Sequence, residues 1–379
     1  MSTRIFFTGG TGLIGSFLVP RLLRAFPDSS VTLLVHATGT DELEIKLKRL
    51  RSWVMVDDPL PGLSERIKGV AGDIQRDNLG LAGNDLRKIV EETTHVLHGA
   101  ATIRFDQPLA AARAINVGGT RHILALAEQM ALSGVLQRFM YIGTSSVSGR
   151  RGGTIYEDDL EMGQQFFNTY EQSKCESERI VRNSMHLVPT TIVRPSVVIG
   201  DSRTGRTTSF NVIYIPLRLF HRGLLDALPA TPDTLLDLVP VDWVCDVIAH
   251  LLRTNASDGK VFHITAGPRR AVPLAEVTEA AASYFDKHSP SHKPRLISFV
   301  TMEEFRRRMV QRGSRADTLL VQLDTLIPYV TVNRLFDSAA TDAILAGSGI
   351  SLPEFRAYSD NIFRYCLETN WGKLQDNQR

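Results

Sequence analysis

Tyr170 and Lys174 stand four residues apart in the stretch Tyr170-Glu171-Gln172-Ser173-Lys174, which reads as helix and so places a phenol and an ammonium on one face. A phenol titrates near pH 10 and is a poor acid-base group at neutrality unless a nearby cation favours its ionised form. Lys174 is expected to supply that cation, which would let Tyr170 exchange a proton with a substrate oxygen. A surface Tyr and Lys at helical spacing is a common coincidence, so the pair needs company. It has some in Gly143-Thr144-Ser145-Ser146-Val147, a hydroxyl cluster that follows the apolar run Arg138 to Ile142. A hydroxyl at a strand's carboxyl end faces the ligand crevice of an open α/β sheet and can bond the same substrate oxygen.

A second chemical feature lies near the start, where Thr8-Gly9-Gly10-Thr11-Gly12-Leu13-Ile14-Gly15 joins the apolar strand Arg4 to Phe7 to an amphipathic helical pattern. Gly9 would allow the tight turn off the strand, Gly12 the approach of backbone to phosphate, and Gly15 the close packing of helix on sheet. Such a turn seats the pyrophosphate of a dinucleotide on the helix N-terminus, where unpaired N–H groups and the helix dipole favour an anion. A glycine-rich loop without a ligand is the plainer alternative.

The elements needed to position these groups are legible as alternating short apolar runs and helical patterns. Strands are expected at 4–7, 31–35, 67–71, 94–98, 138–142 and 190–193, each followed by a helix, and this alternation implies a doubly wound parallel sheet, an α/β fold. After Gly200 the alternation breaks. Leu236 to Asp242 and Lys260 to Ile264 read as returns to the sheet, and from Pro268 onward the pattern is mostly helical. The expected plan is a nucleotide-binding domain from residues 1–200 and 235–270, with a smaller, mostly helical substrate lobe from 201–234 and 271–379.

Composition excludes several classes. The 379 residues are 43% hydrophobic and 22% charged, ordinary values for a globular protein, and a net charge of +2 gives no argument for nucleic acid. No apolar run approaches the ~20 residues that span a bilayer, so no transmembrane segment is expected. Cys175, Cys245 and Cys366 are too far apart for a metal or redox spacing, which fits a reducing, cytoplasmic setting. His95 and His98 lack the carboxylate or cysteine company of a metal site, and no metal is expected.

The order of motifs resembles the extended short-chain dehydrogenase/reductases over about residues 4 to 270. The resemblance is carried by Thr8 to Gly15, Asp73-Ile74, His98-Gly99-Ala100-Ala101, Asn116-Val117-Gly118-Gly119-Thr120, the hydroxyl cluster, Tyr170 to Lys174, and Arg194-Pro195-Ser196. It implies that Tyr170 is the acid-base residue, that Lys174 also binds the nicotinamide ribose, and that the third catalytic position is Thr144, with Ser145 a close rival. Gly143 stands where many relatives have serine. It further implies cofactor contacts from Gly9, Thr11, Gly12, Leu13, Ile14 and Gly15 at the turn, from Asp73 and Ile74 at the adenine, from Gly99, Ala100 and Ala101 at the ribose and pyrophosphate, and from Pro195.

Cofactor choice depends on the end of the second strand, where an acid would bind a ribose 2′-hydroxyl and repel a 2′-phosphate. The chain has His36 there, a departure from the arginine often found in NADPH-using relatives, with Lys46, Lys48, Arg49 and Arg51 following. NADPH is expected over NADH. Phrases such as His98 to Phe105, Arg194 to Gly205 and Leu238 to Val244 resemble the branch of thioester reductases and fatty acyl-CoA reductases. That branch implies reduction of an acyl thioester, held on coenzyme A or an acyl carrier protein, to an aldehyde or on to an alcohol. The alternative is a dehydrogenase or epimerase acting on a hydroxyl of a sugar nucleotide, sterol or other alcohol. Arg306, Arg307, Arg308, Arg312 and Arg315 form a basic cluster where an acidic carrier could dock, or a solvated helix end.

Overall fold

The computed structural model describes residues 2–56, 62–289, 297–311, 323 and 326–376. Seven strands form one all-parallel sheet: β1 (Arg4–Thr8), β2 (Ser30–Val35), β3 (Ile67–Ala71), β4 (His95–His98), β5 (Arg138–Ile142), β6 (Thr190–Pro195) and β7 (Lys260–Ile264). Their order across the sheet is β3-β2-β1-β4-β5-β6-β7. The order reverses between β1 and β4, where Thr8 is in register with His98, and a crevice opens at their carboxyl ends.

The main helices are α1 (Leu13–Ala25), α2 (Thr40–Met55), α3 (Gly83–Glu92), α4 (Gly119–Leu132), α5 (Thr169–Ser184), α6 (Tyr214–His221), α7 (Val241–Arg253), α8 (Leu274–His288) and α9 (Phe355–Glu368). Strand periodicity sorts them into layers. Ile5 and Phe7 of β1 join α1, α2 and α7 in one apolar cluster, whereas Phe6 between them joins α3, α4 and α5 in the cluster on the other face. Both faces of the sheet are therefore covered, as an all-parallel sheet requires.

A third cluster packs α6, α8 and α9 around Phe305, Leu323 and Trp371. Short ladders tie it down: Leu235–Leu236 runs antiparallel to Val272–Pro273, and Ser298–Phe299 runs parallel to Ala227–Leu228. The expectation that residues 236–242 return to the main sheet is corrected here. Leu238–Pro240 instead pairs with Val197–Ile199 in a separate two-stranded ladder, since β6 already has β7 on its free edge. The chain also crosses back late. Arg334–Phe336 pairs with Gly153–Ile155, and Leu345 and Leu352 pack in the cluster of α1 and α7.

Candidate active site

The turn after β1 is built around glycine for two physical reasons. Gly9 has φ +88°, and a Cβ there would lie 2.6 Å from Ala100 N; a Cβ on Gly15 would lie 2.3 Å from Gly9 O, so α1 could not approach the strand. At Gly12 an added Cβ meets only Gly9 O, at 3.3 Å, and the outer side is open. Thr11 is exposed beside it, while Leu13 and Ile14 are half-buried. No side chain caps α1, and its first turn holds no acid, so its N-terminal N–H groups and positive dipole end face the crevice. These residues fit an anion such as a pyrophosphate.

Beside that turn, Gly99 N–H donates to Thr8 O at 2.9 Å, which sets Gly99, Ala100 and Ala101 along the crevice edge. Ile74 is buried against Gly119, and its carbonyl accepts from His122 at 2.7 Å. The exposed His36 ring lies 3.9 Å from the Asp73 carboxylate. Of the four basic residues that follow, Lys46 reaches this corner, donating to His36 O at 2.7 Å and pairing with Glu42 at 2.6 Å. Glu42 also accepts from Thr38 N–H and its hydroxyl, at 2.8 Å each, and these bonds hold its carboxyl at about 2. Arg51 is directed elsewhere, onto Ile67 O at 2.8 Å.

The reacting corner draws on two elements. Thr144, 6% exposed, opens the turn Ser145–Ser148 after β5, and its hydroxyl accepts from Ser146 N–H at 3.2 Å. Helix α5 starts at a reciprocal cap: the Asn168 side chain accepts from Glu171 N–H at 3.0 Å, and the Glu171 carboxylate accepts from Phe167 N–H at 2.9 Å. That cap fixes Tyr170 in the first turn, with its hydroxyl within hydrogen-bonding reach of Thr144. Lys174, one turn on, is 4% exposed, donates to Ile142 O at 3.1 Å and sits 4.4 Å over the Tyr141 ring.

Electrostatics correct one expectation. Lys174 does not hold the phenol down: burial pushes Tyr170 up to about 12, the Thr144 hydrogen bond opposing and the Glu171 charge adding. Tyr170 thus keeps its proton at neutral pH. Lys174 itself is lowered to about 8 by burial, against the pull of Glu178. Glu178 is fully buried and paired with Arg194 at 2.6 Å, and Arg194 also donates to Glu157 O and Asp159 O.

Several residues at the site carried no assigned role in the sequence. Asn116 donates to Ser173 at 2.9 Å and accepts from Thr102 N–H at 2.8 Å, tying the loop after β4 to α5. Phe105 packs 5.7 Å from the Tyr170 ring and 5.9 Å from Tyr329, whose hydroxyl donates to Glu171 at 2.7 Å. Arg334 stands over Tyr329 at 5.1 Å and donates to Gly149 O. Asn116 could have been read from its motif, but the Tyr329 contacts span 158 residues and leave no local signal. A cleft of about 90 Å³ opens beside Thr144, lined by Ser145, Ser146, Ser196, Asp237, Tyr329 and Arg334 among others. Pro195, buried at the end of β6, precedes Ser196 on its wall.

His98 bonds Thr8 and Thr120 and is lowered to about 3 by burial; His95 bonds Thr94 and is lowered to about 4. No group of three metal-ligating side chains occurs among the described residues. Of the basic cluster, Arg307 and Arg308 pair with Glu304 on their own helix, and Arg312 and Arg315 lie outside the described residues. No helix among the described residues is long and apolar enough to cross a membrane.

A doubly wound sheet with a glycine turn at its switch point and a Tyr-x-x-x-Lys helix beside it defines an NAD(P)-dependent oxidoreductase of the extended short-chain dehydrogenase/reductase type. Residues 7–248 match the male sterility protein family of NAD-binding domains, and the chain belongs to that family. It is 28% identical over 291 residues to the non-canonical nonribosomal peptide synthetase FrzA of Cladobotryum sp, covering 72% of this chain and 27% of that protein. It is 25% identical over 299 residues to fatty acyl-CoA reductase 2 of Homo sapiens, covering 69% of this chain and 58% of that protein. The chain thus spans less than two thirds of either of these curated relatives. Among solved structures, the terminal R domain of the myxalamid PKS-NRPS pathway superposes with a TM-score of 0.82 at 27% identity, over 97% of this chain and 91% of that one.

Proposed function

We propose that this protein is an NADPH-dependent reductase that converts an acyl thioester, carried on coenzyme A or an acyl carrier protein, to the aldehyde. The observation that carries the reading is the half-buried Tyr170 within hydrogen-bonding reach of Thr144, with a largely apolar cleft opening at the neighbouring Ser145 and Ser146. Gly9 to Gly15 and the N-terminus of α1 would hold the pyrophosphate, Gly99 to Ala101 and Pro195 would border the nicotinamide half, and Asp73 and Ile74 the adenine. NADPH is favoured over NADH because β2 ends without an acid, and Lys46 and His36 would lie near a ribose 2′-phosphate bound there.

When bound, the nicotinamide supplies a hydride to the thioester carbonyl carbon. Thr144 and Tyr170 donate hydrogen bonds to the carbonyl oxygen, which takes up the electron pair of the C=O bond as the new C–H bond forms. Tyr170 passes its proton to that oxygen and gives a hemithioacetal. Lys174 would hold positive charge next to the forming phenolate and would reach the nicotinamide ribose. Collapse of the hemithioacetal breaks the C–S bond, so one thioester and one NADPH, with one proton, give aldehyde, thiol and NADP⁺.

The test is turnover by the purified protein with NADPH and a panel of acyl-coenzyme A and carrier-bound thioesters. One NADPH consumed per thiol released marks an aldehyde product, and two mark an alcohol. If no thioester is consumed while a secondary alcohol is oxidised with NAD(P)⁺, the reading is wrong and the hydroxyl dehydrogenase takes its place.

A further inference from the structure

We propose that Arg334 selects the acyl group, and that the preferred thioester carries a second, free carboxylate at the end of a short chain. On the thioester reading, on which this rests, that carboxylate would lie beyond the reacting carbonyl and bind the guanidinium.

Arg334 is a buried cation with few partners. It is 9% exposed and lines the cleft that opens at Ser145 and Ser146, yet its guanidinium makes one hydrogen bond among the described residues, from Nη1 to Gly149 O at 3.2 Å. Phe167 and Tyr329 flank it, with ring centroids 5.8 and 5.1 Å from its central carbon. Burial lowers its pKa, and Glu171 opposes that shift only through charge, without an ion pair or hydrogen bond to it. A guanidinium carries several N–H donors in a rigid fork, and most of these have no acceptor among the described residues. Holding such a charge out of water is costly unless an anion joins it. The strand Arg334–Phe336, paired with Gly153–Ile155, fixes the fork on backbone. The Ser145 and Ser146 hydroxyls on the same cleft wall also have no partner among the described residues.

The acids nearby are already engaged. Glu171 accepts from Phe167 N–H at 2.9 Å and from the Tyr329 hydroxyl at 2.7 Å. Asp237, on the cleft wall, accepts from Ser196 at 2.5 Å, Ala266 N–H at 2.7 Å and Gly267 N–H at 3.1 Å. An incoming carboxylate would therefore meet a buried fork whose planar donors match its two oxygens, with two hydroxyls on the same wall. A plain hydrocarbon tail would leave the charge unanswered. The position suits the acyl group better than the carrier arm, because Thr144 caps one end of the turn Ser145–Ser148 and Gly149, the anchor of Arg334, caps the other. A turn of that length spans on the order of 8 Å, which a short acyl chain can bridge.

The experiment uses the full chain, NADPH and the mono-coenzyme A thioesters of succinate, glutarate, adipate and pimelate, each beside its ω-methyl ester and the plain acyl thioester of equal length. At one or more lengths the acid should exceed its methyl ester about 10- to 100-fold in kcat/KM, the range of a hydrogen bond to a charged group. In Arg334→Met that ratio should fall to about one, and in Arg334→Lys, which keeps charge without the fork, it should fall part of the way. The comparison of acid with ester in the native chain needs no variant, so it decides the matter even where Arg334→Met fails to fold. Equal kcat/KM for acid and ester at every length overturns the Arg334 assignment and leaves thioester reduction standing. A loss in Arg334→Met shared equally by acid, ester and plain chain assigns the arginine to the carrier arm and overturns it as well. Calorimetric binding of the same thioesters covers the remaining case: tighter binding of the acid than of its ester, with no reduction of any thioester, overturns the reductase reading and leaves the carboxylate site.

Discussion

Raising the pH above 8 should switch this enzyme off while the Lys174 site gains stability. Lys174 titrates at about 8 instead of its ordinary 10.5 because burial disfavours its charge more than Glu178 favours it. Keeping it charged in the fold therefore costs about 3 kcal/mol relative to water. In the unfolded chain the lysine holds its proton up to 10.5, and in the fold it releases it at about 8. Between those values the unfolded state binds more protons, so stability from this group rises with pH, by up to about 3 kcal/mol. The catalytic charge moves the other way. About a tenth of the ammonium survives at pH 9, and kcat/KM should fall about tenfold per pH unit above 8. Tyr170, at about 12, stays protonated throughout and contributes no limb in this range. The assay is the initial rate of NADPH oxidation from pH 6 to pH 10 at fixed ionic strength, with thermal melts run in parallel over the same range, in which burial holds the three thiols above their ordinary pKa. In Lys174→Arg, whose side chain keeps its charge, the limb should vanish. A rate that stays flat to pH 10, or one that falls only together with the melting temperature, would refute the reasoning.

Tyr170→Phe should retain the ring contact with Phe105 and the fold, bind NADPH with unchanged affinity, and lose about 10²- to 10⁴-fold in kcat; a change confined to KM would remove Tyr170 from the proton-donor role. Lys46→Ala should raise the KM for NADPH about fivefold, from the ~1 kcal/mol of a partly exposed ion pair, and leave that for NADH in place. Equal effects on both cofactors would remove Lys46 from the 2′-phosphate site. Arg194→Met leaves the Glu178 carboxylate buried without its main partner, and should cost about 3–5 kcal/mol in denaturant unfolding. In the surviving fold the Glu178 charge, shared only with Arg182, should move the Lys174 limb upward from 8; a limb that stays at 8 would show that Glu178 does not act on the lysine.

The parts of the site legible in the sequence are those where backbone geometry dictates residue type. Gly9 and Gly15 are forced by a positive φ and a 2.3 Å approach, and the four-residue spacing of Tyr170 and Lys174 is a property of any helix. The alternation of apolar runs marks six strands and their parallel sense, because strands covered on both faces must be apolar throughout. What stays hidden depends on contacts between distant segments. The run Leu236 to Asp242 is apolar whether it joins the main sheet or a side ladder with Val197–Ile199, and only the occupation of the β6 edge by β7 decides. Phe105, Tyr329 and Arg334 look like ordinary aromatic and basic residues until the chain brings 105, 170 and 329 together. The protonation state of Tyr170 escapes the sequence for the same reason, since spacing reveals the neighbouring cation but not the burial that outweighs it.

That burial bears on the direction of the chemistry. A tyrosine that takes a proton from an alcohol must first lose its own, whereas one that gives a proton to a forming alkoxide must hold it. Phe105 covers the ring of Tyr170, Glu171 adds a negative charge at the next residue, and both oppose ionisation. The Glu171 charge is in turn kept in place by Tyr329, whose hydroxyl donates to it, and by Asn168, which donates to Tyr329. The segment that contributes Tyr329 also lines the cleft where the acyl group would enter. Tyr329 therefore belongs both to the wall of the cleft and to the hydrogen-bond network that holds Glu171 beside Tyr170.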